Sequence, residues 1–303
     1  MPTLPATVEL IEVGLRDGLQ SEATLVPTAA KIALIDALAA AGLNRIQVTA
    51  FVHPKRVPQM ADAEELCAAL PQRPGVVYSG LVLNLKGVER AAAANLSHID
   101  MGLSASEAHS RRNANRTVDE ALAEFGSMVD LARAEGMRVR GAVQCAFGYQ
   151  APGDVAPARV LEIVDRYLEL GIDEVALADS AGLGDPRQVA ELAGQALAKT
   201  GDLPLILHLH DTRGLGLANL FAALQVGVRH FDTAFGGLGG CPFIDGAAGN
   251  IATEDTVYLL DRLGIVTGVD ASRIAEISQR AGHLLGKTLP GRMTGLLVAE
   301  PVG

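Results

Sequence analysis

Residues 174–226 read EVALADSAGLGDPRQVAELAGQALAKTGDLPLILHLHDTRGLGLANLFAALQV. Two short apolar runs, Glu174–Ala178 and Leu205–His210, alternate here with two longer segments, Pro186–Lys199 and Leu215–Val226, in which apolar residues recur at helical spacing. A strand, a helix and a second strand in this order are typical of a parallel βαβ unit. The stretch therefore predicts an α/β fold built from such units.

The same alternation continues in both directions along the chain. It predicts eight strands: Val8–Val13, Arg45–Phe51, Val76–Val82, Ile99–Leu103, Val139–Cys145, Glu174–Ala178, Leu205–His210 and Phe231–Phe235. Several of the intervening helices end at a glycine suited to a left-handed cap, namely Gly42, Gly136, Gly171, Gly227 and Gly264. Eight strand–helix units without a Pro- or Ser-rich linker favour one (β/α)8 TIM barrel over a doubly wound sheet with fewer strands.

We expect the barrel to occupy residues 1–268 and residues 269–303 to form a C-terminal helical extension packed on it. The composition fits a globular enzyme, since 49% of the 303 residues are hydrophobic and 20% are charged. A net charge of −10 without any Lys/Arg run argues against nucleic acid as a partner.

The sequence also argues against a membrane or secreted location. No apolar run reaches the ~18 residues needed to cross a bilayer, and the N-terminal MPTLPATVELIEVG lacks the pattern of a signal peptide. Three cysteines, Cys67, Cys145 and Cys241, do not suggest a disulfide framework. We therefore expect a cytoplasmic protein.

In a TIM barrel the chemistry lies at the C-terminal ends of the strands. His208 and His210, two residues apart on the seventh strand, can point their nitrogens at one cation, although a lone H-x-H is more often a pair of buried structural histidines. Arg16 and Asp17 follow the first strand. Asp17 could add a hard oxygen ligand, and Arg16 could stabilise negative charge on a substrate oxygen.

Further polar residues follow the sixth and eighth strands. Asp179 ends the sixth strand as a possible base or substrate contact, and Cys241 lies in the glycine-rich loop GGLGGCPFIDGAAGN, which ends at Asn250. A thiol on such a loop suits acid/base work, and the amide of Asn250 could complete a ligand set. Two His, one Asp and one Asn suit Mg²⁺ or Mn²⁺ better than a structural zinc, although zinc stays open.

These residues resemble a known family of metal-dependent TIM-barrel lyases and synthases, and within it the 3-hydroxy-3-methylglutaryl-CoA lyases. The resemblance covers Val8 to Gly268 and is carried by VGLRDGLQ (13–20), FVHPKRVPQM (51–60), NLKG (84–87), HLHDTRGLGLAN (208–219) and GGLGGCPFIDGAAGNIATED (236–255). GGLGGCP is the most discriminating stretch, because the related synthases tend to have a Gly-Glu-Arg-containing sequence at that loop.

The resemblance implies a role for each site residue. It implies that Asp17, His208, His210 and Asn250 hold the metal, that Arg16 stabilises an enolate, and that Cys241 and His208 transfer protons. The implied reaction cleaves an acyl-CoA substrate, a 3-hydroxy-3-methylglutaryl thioester, to acetyl-CoA and acetoacetate, a ketone body, as in leucine degradation. A homodimer formed through the segment after Asp270 is also implied.

The sequence departs from the family in one region. Gln47 stands where the family typically has Glu, Ala50 and Ala176 each replace a Ser, and Ser180 replaces a Thr. The change to Gln47 removes a charge, and the two alanines remove donors that could hold a substrate carboxylate. We therefore hypothesise the same lyase chemistry with an altered acyl substrate.

Two other functions stay open from the sequence. One is a synthase that condenses acetyl-CoA with a 2-oxo acid, which the lyase-type loop disfavours. The other is an inactive barrel that binds CoA esters, which Gln47 permits and the intact metal-ligand set disfavours.

Overall fold

Eight parallel strands close into a barrel in which each strand pairs with the next along the chain and β8 pairs with β1. The computed structural model describes residues 4–241 and 244–298, with the backbone alone at residues 241 and 244–248. The barrel strands are β1 (Glu9–Glu12), β2 (Arg45–Ala50), β3 (Val77–Val82), β4 (His98–Ser104), β5 (Arg138–Gln144), β6 (Glu174–Ala178), β7 (Leu205–His208) and β8 (His230–Thr233). The predicted TIM barrel is confirmed, with strand ends shifted by about two residues or fewer.

Helices pack around the barrel and lead from one strand to the next. They are α1 (Thr28–Ala40), α2 (Ala63–Ala68), α3 (Leu85–Ala93), α4 (Glu107–Ala114), α5 (Val118–Ala134), α6 (Pro157–Glu169), α7 (Pro186–Thr200), α8 (Gly216–Gln225), α9 (Thr253–Arg262), α10 (Ala271–Leu285) and α11 (Thr294–Leu297). The apolar pattern does not predict α4, because its sequence EAHSRRNA buries only Ser110. Within the described ranges, no helix is both long and apolar enough to cross a membrane.

Local sequence explains where these elements begin and end. The strand EVALA of β6 is buried along its whole length, as expected for a parallel strand covered on both faces. Helix α5 begins at a capping box formed by Thr117 and Glu120. The predicted helix-ending glycines all have positive φ: Gly42, Gly136, Gly171, Gly227 and Gly264.

The segment after the barrel returns to its C-terminal end. Helix α10 packs against α1, α9 and the short turn Phe235–Gly237 that follows β8. The backbone N–H of Gly291 donates to Gly236 O at 2.8 Å, so the chain after α10 covers this turn. The division at residues 268 and 269 and the homodimer stay predictions.

Glu12 joins the end of β1 to the end of β8 and the start of α9. Its Oε1 accepts the backbone N–H groups of Gly14 (2.7 Å) and Phe235 (3.1 Å), and its Oε2 accepts the Thr253 hydroxyl (2.8 Å). Burial raises the pKa of Glu12 to about 8, although these donors oppose the shift. Thr253 lies 2.9 Å from the Thr233 hydroxyl, so a protonated Glu12 also finds an acceptor in Thr253.

We predict that Glu12→Gln flattens the pH dependence of folding stability. A folded-state pKa raised above the unfolded value of about 4.3 stabilises the fold at low pH, and this stabilisation is lost as the pH rises toward about 8. Urea unfolding across this range measures the difference. The exposed control Glu276→Gln should keep the wild-type slope, and equal slopes for wild type and Glu12→Gln would contradict the assignment.

Candidate active site

Two imidazoles face each other at the C-terminal end of β7. The strand ends at His208, and His210 continues it as a single bridge to Asn250 in the loop after β8. The Nε2 atoms of His208 and His210 are 3.1 Å apart, and both side chains are buried. The two rings converge as the strand spacing predicts. Two nitrogens this close need a shared proton or cation between them.

The turn after β1 brings a carboxylate and a guanidinium to the histidines. Residues Gly14–Gly18 form a single π-helical turn, a feature frequent at functional sites. Asp17 Oδ2 lies 3.9 Å from Nε2 of His208 and 3.9 Å from Nε2 of His210. Arg16 Nη1 donates to Asp17 Oδ1 at 2.5 Å. The structure thus brings these four predicted residues together.

Asn250 completes the group and leaves one oxygen unused. Its Nδ2 donates to Asp17 Oδ2 (2.8 Å) and to Leu238 O (3.1 Å). Its Oδ1 and the Nδ1 of His210 are buried without a hydrogen-bond partner in the described part of the chain. Such orphaned atoms are uncommon in folded proteins. The two imidazoles and the carboxylate form a donor set that fits a divalent cation. The Asn250 amide lies beside them with its Nδ2 on Asp17.

The electrostatics of the group favour the deprotonated forms of Asp17 and His210. Burial by itself would raise the pKa of Asp17, but Arg16, His208 and His210 together hold that pKa well below its usual range. Burial, and then the neighbouring His208, lower the pKa of His210 to about 4. An ionised carboxylate and a neutral imidazole are the forms that bind metal ions.

An ion pair inside the barrel orients His208. Its Nδ1 lies 3.0 Å from Asp232 Oδ2 on β8, and Asp232 accepts both terminal nitrogens of Arg140 on β5. Burial opposes ionisation of Asp232, but Arg140 and His208 lower its pKa to about 2. A carboxylate on Nδ1 fixes the tautomer whose Nε2 is free to bind, the arrangement common behind metal-binding histidines.

Sequence analysis missed Asp232 and Arg140. The available signal was a charged residue inside an otherwise apolar strand, in HFDT and in RVRGAVQ. Buried charges need partners, yet these two are 92 residues apart in the chain, so their pairing becomes visible only in the closed barrel.

Asp179 lies beside the histidines without facing them. Its backbone N–H donates to His208 O at 2.8 Å. Its carboxylate accepts the backbone N–H groups of Leu183 (2.8 Å) and Gly184 (3.1 Å) and so organises the loop after β6. Burial raises the pKa of Asp179. Its role as base or substrate contact stays a prediction.

Gly239, at the start of the glycine-rich loop after β8, lies close to Asn250 and Asp17. Two short antiparallel strands form in this loop, β9 (Gly240–Cys241) and β10 (Ile244–Ala248). Gly239 has a φ of +116°, and a Cβ there would lie 2.9 Å from Asn250 Nδ2, so only glycine allows this approach. The side chain of Cys241 lies outside the described residues, and its acid/base role stays a prediction.

Comparison with known proteins gives consistent matches over almost the whole chain. The chain is 42% identical over 300 residues to the mitochondrial hydroxymethylglutaryl-CoA lyase of Rattus norvegicus, covering 99% of this chain and 91% of that protein. It is 42% identical over 297 residues to a 3-hydroxy-3-isohexenylglutaryl-CoA/hydroxymethylglutaryl-CoA lyase of Pseudomonas aeruginosa, covering 98% and 99%.

A solved structure agrees with these matches. It is an HMG-CoA lyase of Acinetobacter baumannii in complex with coenzyme A and 3-methylmalate, and it superposes with a TM-score of 0.92 at 37% identity over 100% of both chains. The family model described as HMGL-like matches residues 7–280. The barrel, the histidine pair beside Asp17 and these matches agree, and the chain belongs to the HMGL-like family.

Proposed function

We propose that this protein is a divalent-metal-dependent carbon–carbon lyase that cleaves 3-hydroxy-3-methylglutaryl-CoA to acetyl-CoA and acetoacetate. The convergence of Asp17, His208 and His210 at the mouth of the barrel carries the proposal. Support comes from relatives named for this activity that match nearly end to end. The bound coenzyme A in the Acinetobacter structure supports an acyl-CoA as the substrate.

Mg²⁺ or Mn²⁺ is the proposed cofactor, and Asp17, His208, His210 and Asn250 are its proposed ligands. The unused Asn250 Oδ1 and the facing Nε2 atoms support this assignment. A bound divalent cation supplies a Lewis acid for the hydroxyl and carbonyl oxygens of the substrate. The all-N/O ligand set favours these ions over a structural zinc.

The chain's own residues provide proton transfer and charge stabilisation. The 3-hydroxyl of the substrate loses its proton, C3 becomes a ketone, and the C2–C3 bond breaks with its electron pair passing to the thioester enolate. Arg16 stands beside the group as a fixed cation for the enolate oxygen. Asp232 holds Nδ1 of His208, so its Nε2 can take either the cation or a proton, and His208 is proposed to accept the hydroxyl proton only while Nε2 is released from the cation.

Protonation of the enolate at C2 yields acetyl-CoA, and Cys241 is the proposed acid. The other two cysteines are unsuited to it, because both are buried, and burial raises the pKa of Cys67 to about 12 and that of Cys145 to about 11. Asp179 is proposed as a residue that shapes the substrate-facing loop. A homodimer and a cytoplasmic location complete the proposal.

Metal-dependent cleavage of 3-hydroxy-3-methylglutaryl-CoA tests the activity. We expect acetoacetate and acetyl-CoA with Mg²⁺ or Mn²⁺, and a loss of at least about a hundredfold in kcat/KM in His210→Ala, because a ligand is lost. His230→Ala is the matched control, since His230 begins β8 at the opposite end of the barrel and contacts Glu9.

The outcomes separate the alternatives. Thiol release from acetyl-CoA with a 2-oxo acid, without cleavage, would instead indicate a synthase. Binding of CoA esters without turnover would indicate an inactive barrel.

Thiol labelling tests the assignment of Cys241. Buried thiols with raised pKa values carry little thiolate, so Cys67 and Cys145 should resist iodoacetamide in the folded enzyme. Mass spectrometry should find label only at Cys241, and Cys241→Ser should lower kcat while leaving Mn²⁺ binding unchanged. Rapid labelling of either buried cysteine, or full activity in Cys241→Ser, would contradict this assignment.

Small residues on the inner face of the barrel support a second proposal, that the enzyme also accepts a larger acyl substrate. Gln47 is in register with Ser79 and Ala50 with Leu81, so a bulge in β2 turns both Gln47 and Ala50 to the inner face. Farther round the barrel, Gly102, Ala142 and Ala176 are in register on β4, β5 and β6.

These three residues also face inward, because each lies two positions after an inward-facing charged residue: Asp100, Arg140 and Glu174 respectively. One level of the barrel therefore carries only small side chains on the neighbouring strands β4, β5 and β6, the last of which pairs with β7. Gly102 and Ala142 are partly exposed, so this level opens to the mouth. We propose that it accepts a 3-substituent longer than methyl, as the name of the Pseudomonas relative describes for that enzyme.

Substrate comparison tests this pocket. We expect a higher kcat/KM for a 3-hydroxyglutaryl-CoA with a longer 3-alkyl chain than for the 3-methyl compound. Ala142→Leu fills the open level and should reduce turnover of the longer substrate about tenfold or more, while the 3-methyl substrate serves as the internal control. Equal or better turnover of the 3-methyl compound by the wild type would contradict the larger pocket.

A further inference from the structure

A chain of buried polar contacts crosses the barrel from the candidate enolate-binding arginine to a candidate metal ligand. It begins at Arg16, in the turn after β1. From there it passes through Gln47 on β2, Asp100 on β4, Arg140 on β5, Asp232 on β8 and His208 on β7. Each member after Arg16 is buried. Neither the ligand set nor the proposed acid/base residues include its third member, Asp100.

Asp100 is the branching point of this chain. Its Oδ2 accepts Gln47 Nε2 at 2.5 Å and the Ser79 hydroxyl at 2.7 Å. Its Oδ1 lies 3.2 Å from Arg140 Nε. Only 4% of Asp100 is exposed, so this carboxylate depends on these partners in place of water.

Asp100 determines which way the Gln47 amide points. An ionised carboxylate only accepts hydrogen bonds, so it takes the NH₂ end of the amide. The carbonyl end, Oε1, is then left to accept Arg16 Nε, which only donates. Reversing the amide would place two donors together and two acceptors together. The carboxylate on β4 thus fixes the position of the guanidinium after β1.

The charges of the chain also depend on Asp100. Two guanidinium groups and three carboxylates lie around the histidines. Arg16 pairs with Asp17, and Arg140 pairs with both Asp100 and Asp232. The sum is one net negative charge next to the proposed cation position. Gln47 stands where the resembling family has Glu, so the sequence alone predicts a lost charge. Asp100 places a carboxylate within 2.5 Å of that amide, so a negative charge is present beside position 47.

We infer that Asp100 is a positioning residue that supplies, from β4, the carboxylate absent at position 47, and thereby holds Arg16 where the enolate oxygen forms. The inference rests on the proposed function, because it assigns Arg16 its place in that reaction. Gln47 and Asp100 act as one unit, in which an amide on β2 and a carboxylate on β4 can exchange places.

Exchanging the two groups is the direct test. Gln47→Glu puts two carboxylates in contact, and Asp100→Asn leaves Arg140 with one carboxylate fewer. We expect each single variant to lose roughly tenfold or more in kcat with little change in KM, because Arg16 acts mainly on the developing charge. The double variant Gln47→Glu/Asp100→Asn restores both the charge and the donor–acceptor order, and should regain most of the lost kcat.

Glu174→Gln is the matched control. It removes another buried carboxylate inside the barrel, but Glu174 pairs with Arg45 at 2.6 Å and has no hydrogen bond to Gln47 or Asp100. Its urea midpoint should fall while kcat stays within about twofold of wild type. If Asp100→Asn does not fold, the comparison of Gln47→Glu with the double variant decides the question.

Three outcomes would overturn the inference. A double variant as impaired as the single variants would show that the groups do not exchange. An Asp100→Asn enzyme that loses stability but keeps its kcat would show a structural role only. A wild type that cleaves no 3-hydroxyacyl-CoA would contradict the proposed function and the positioning role together. In that case the urea midpoints of the four proteins still test the pairing, with recovery in the double variant expected.

Discussion

The two imidazole nitrogens that face each other at 3.1 Å are the constraint on which the site depends. They can stay this close only with a proton or cation between them, and Asp17 lies at equal distance from both. The carboxylate comes from the turn after β1 and the imidazoles from the end of β7. The strand between them in the barrel is β8, so the site exists only when the barrel is closed.

Buried polar groups connect the strands at the point where the barrel closes. Glu12 fastens the end of β1 to the chain after β8, and Asp232 on β8 connects Arg140 to His208. Groups of this kind are costly to bury and add little stability compared with apolar packing. Their contribution is to hold the ligand atoms in one arrangement. We therefore interpret these buried polar groups as serving the preorganisation of the site and not the stability of the fold.

Much of the fold could be predicted from the sequence, because it depends on local signals. Short apolar runs identify all eight strands, and helical spacing with glycines at helix ends identifies the helices between them. The histidine pair was also visible, since both members lie on one strand. Arg140 and Asp100 were not recognised, because their partners lie on other strands and no spacing rule connects them. The Asp100 carboxylate beside Gln47 was not foreseen for the same reason.

Anomalous diffraction from a crystal grown with Mn²⁺ tests the central claim most directly, because it locates the ion without reference to activity. The account predicts one strong manganese peak within coordination distance of Nε2 of His208, Nε2 of His210 and a carboxylate oxygen of Asp17. The Asn250 amide oxygen should be the fourth protein ligand. A structure with saturating Mn²⁺ in which the peak lies elsewhere, or in which the two imidazoles share only a proton, would contradict it.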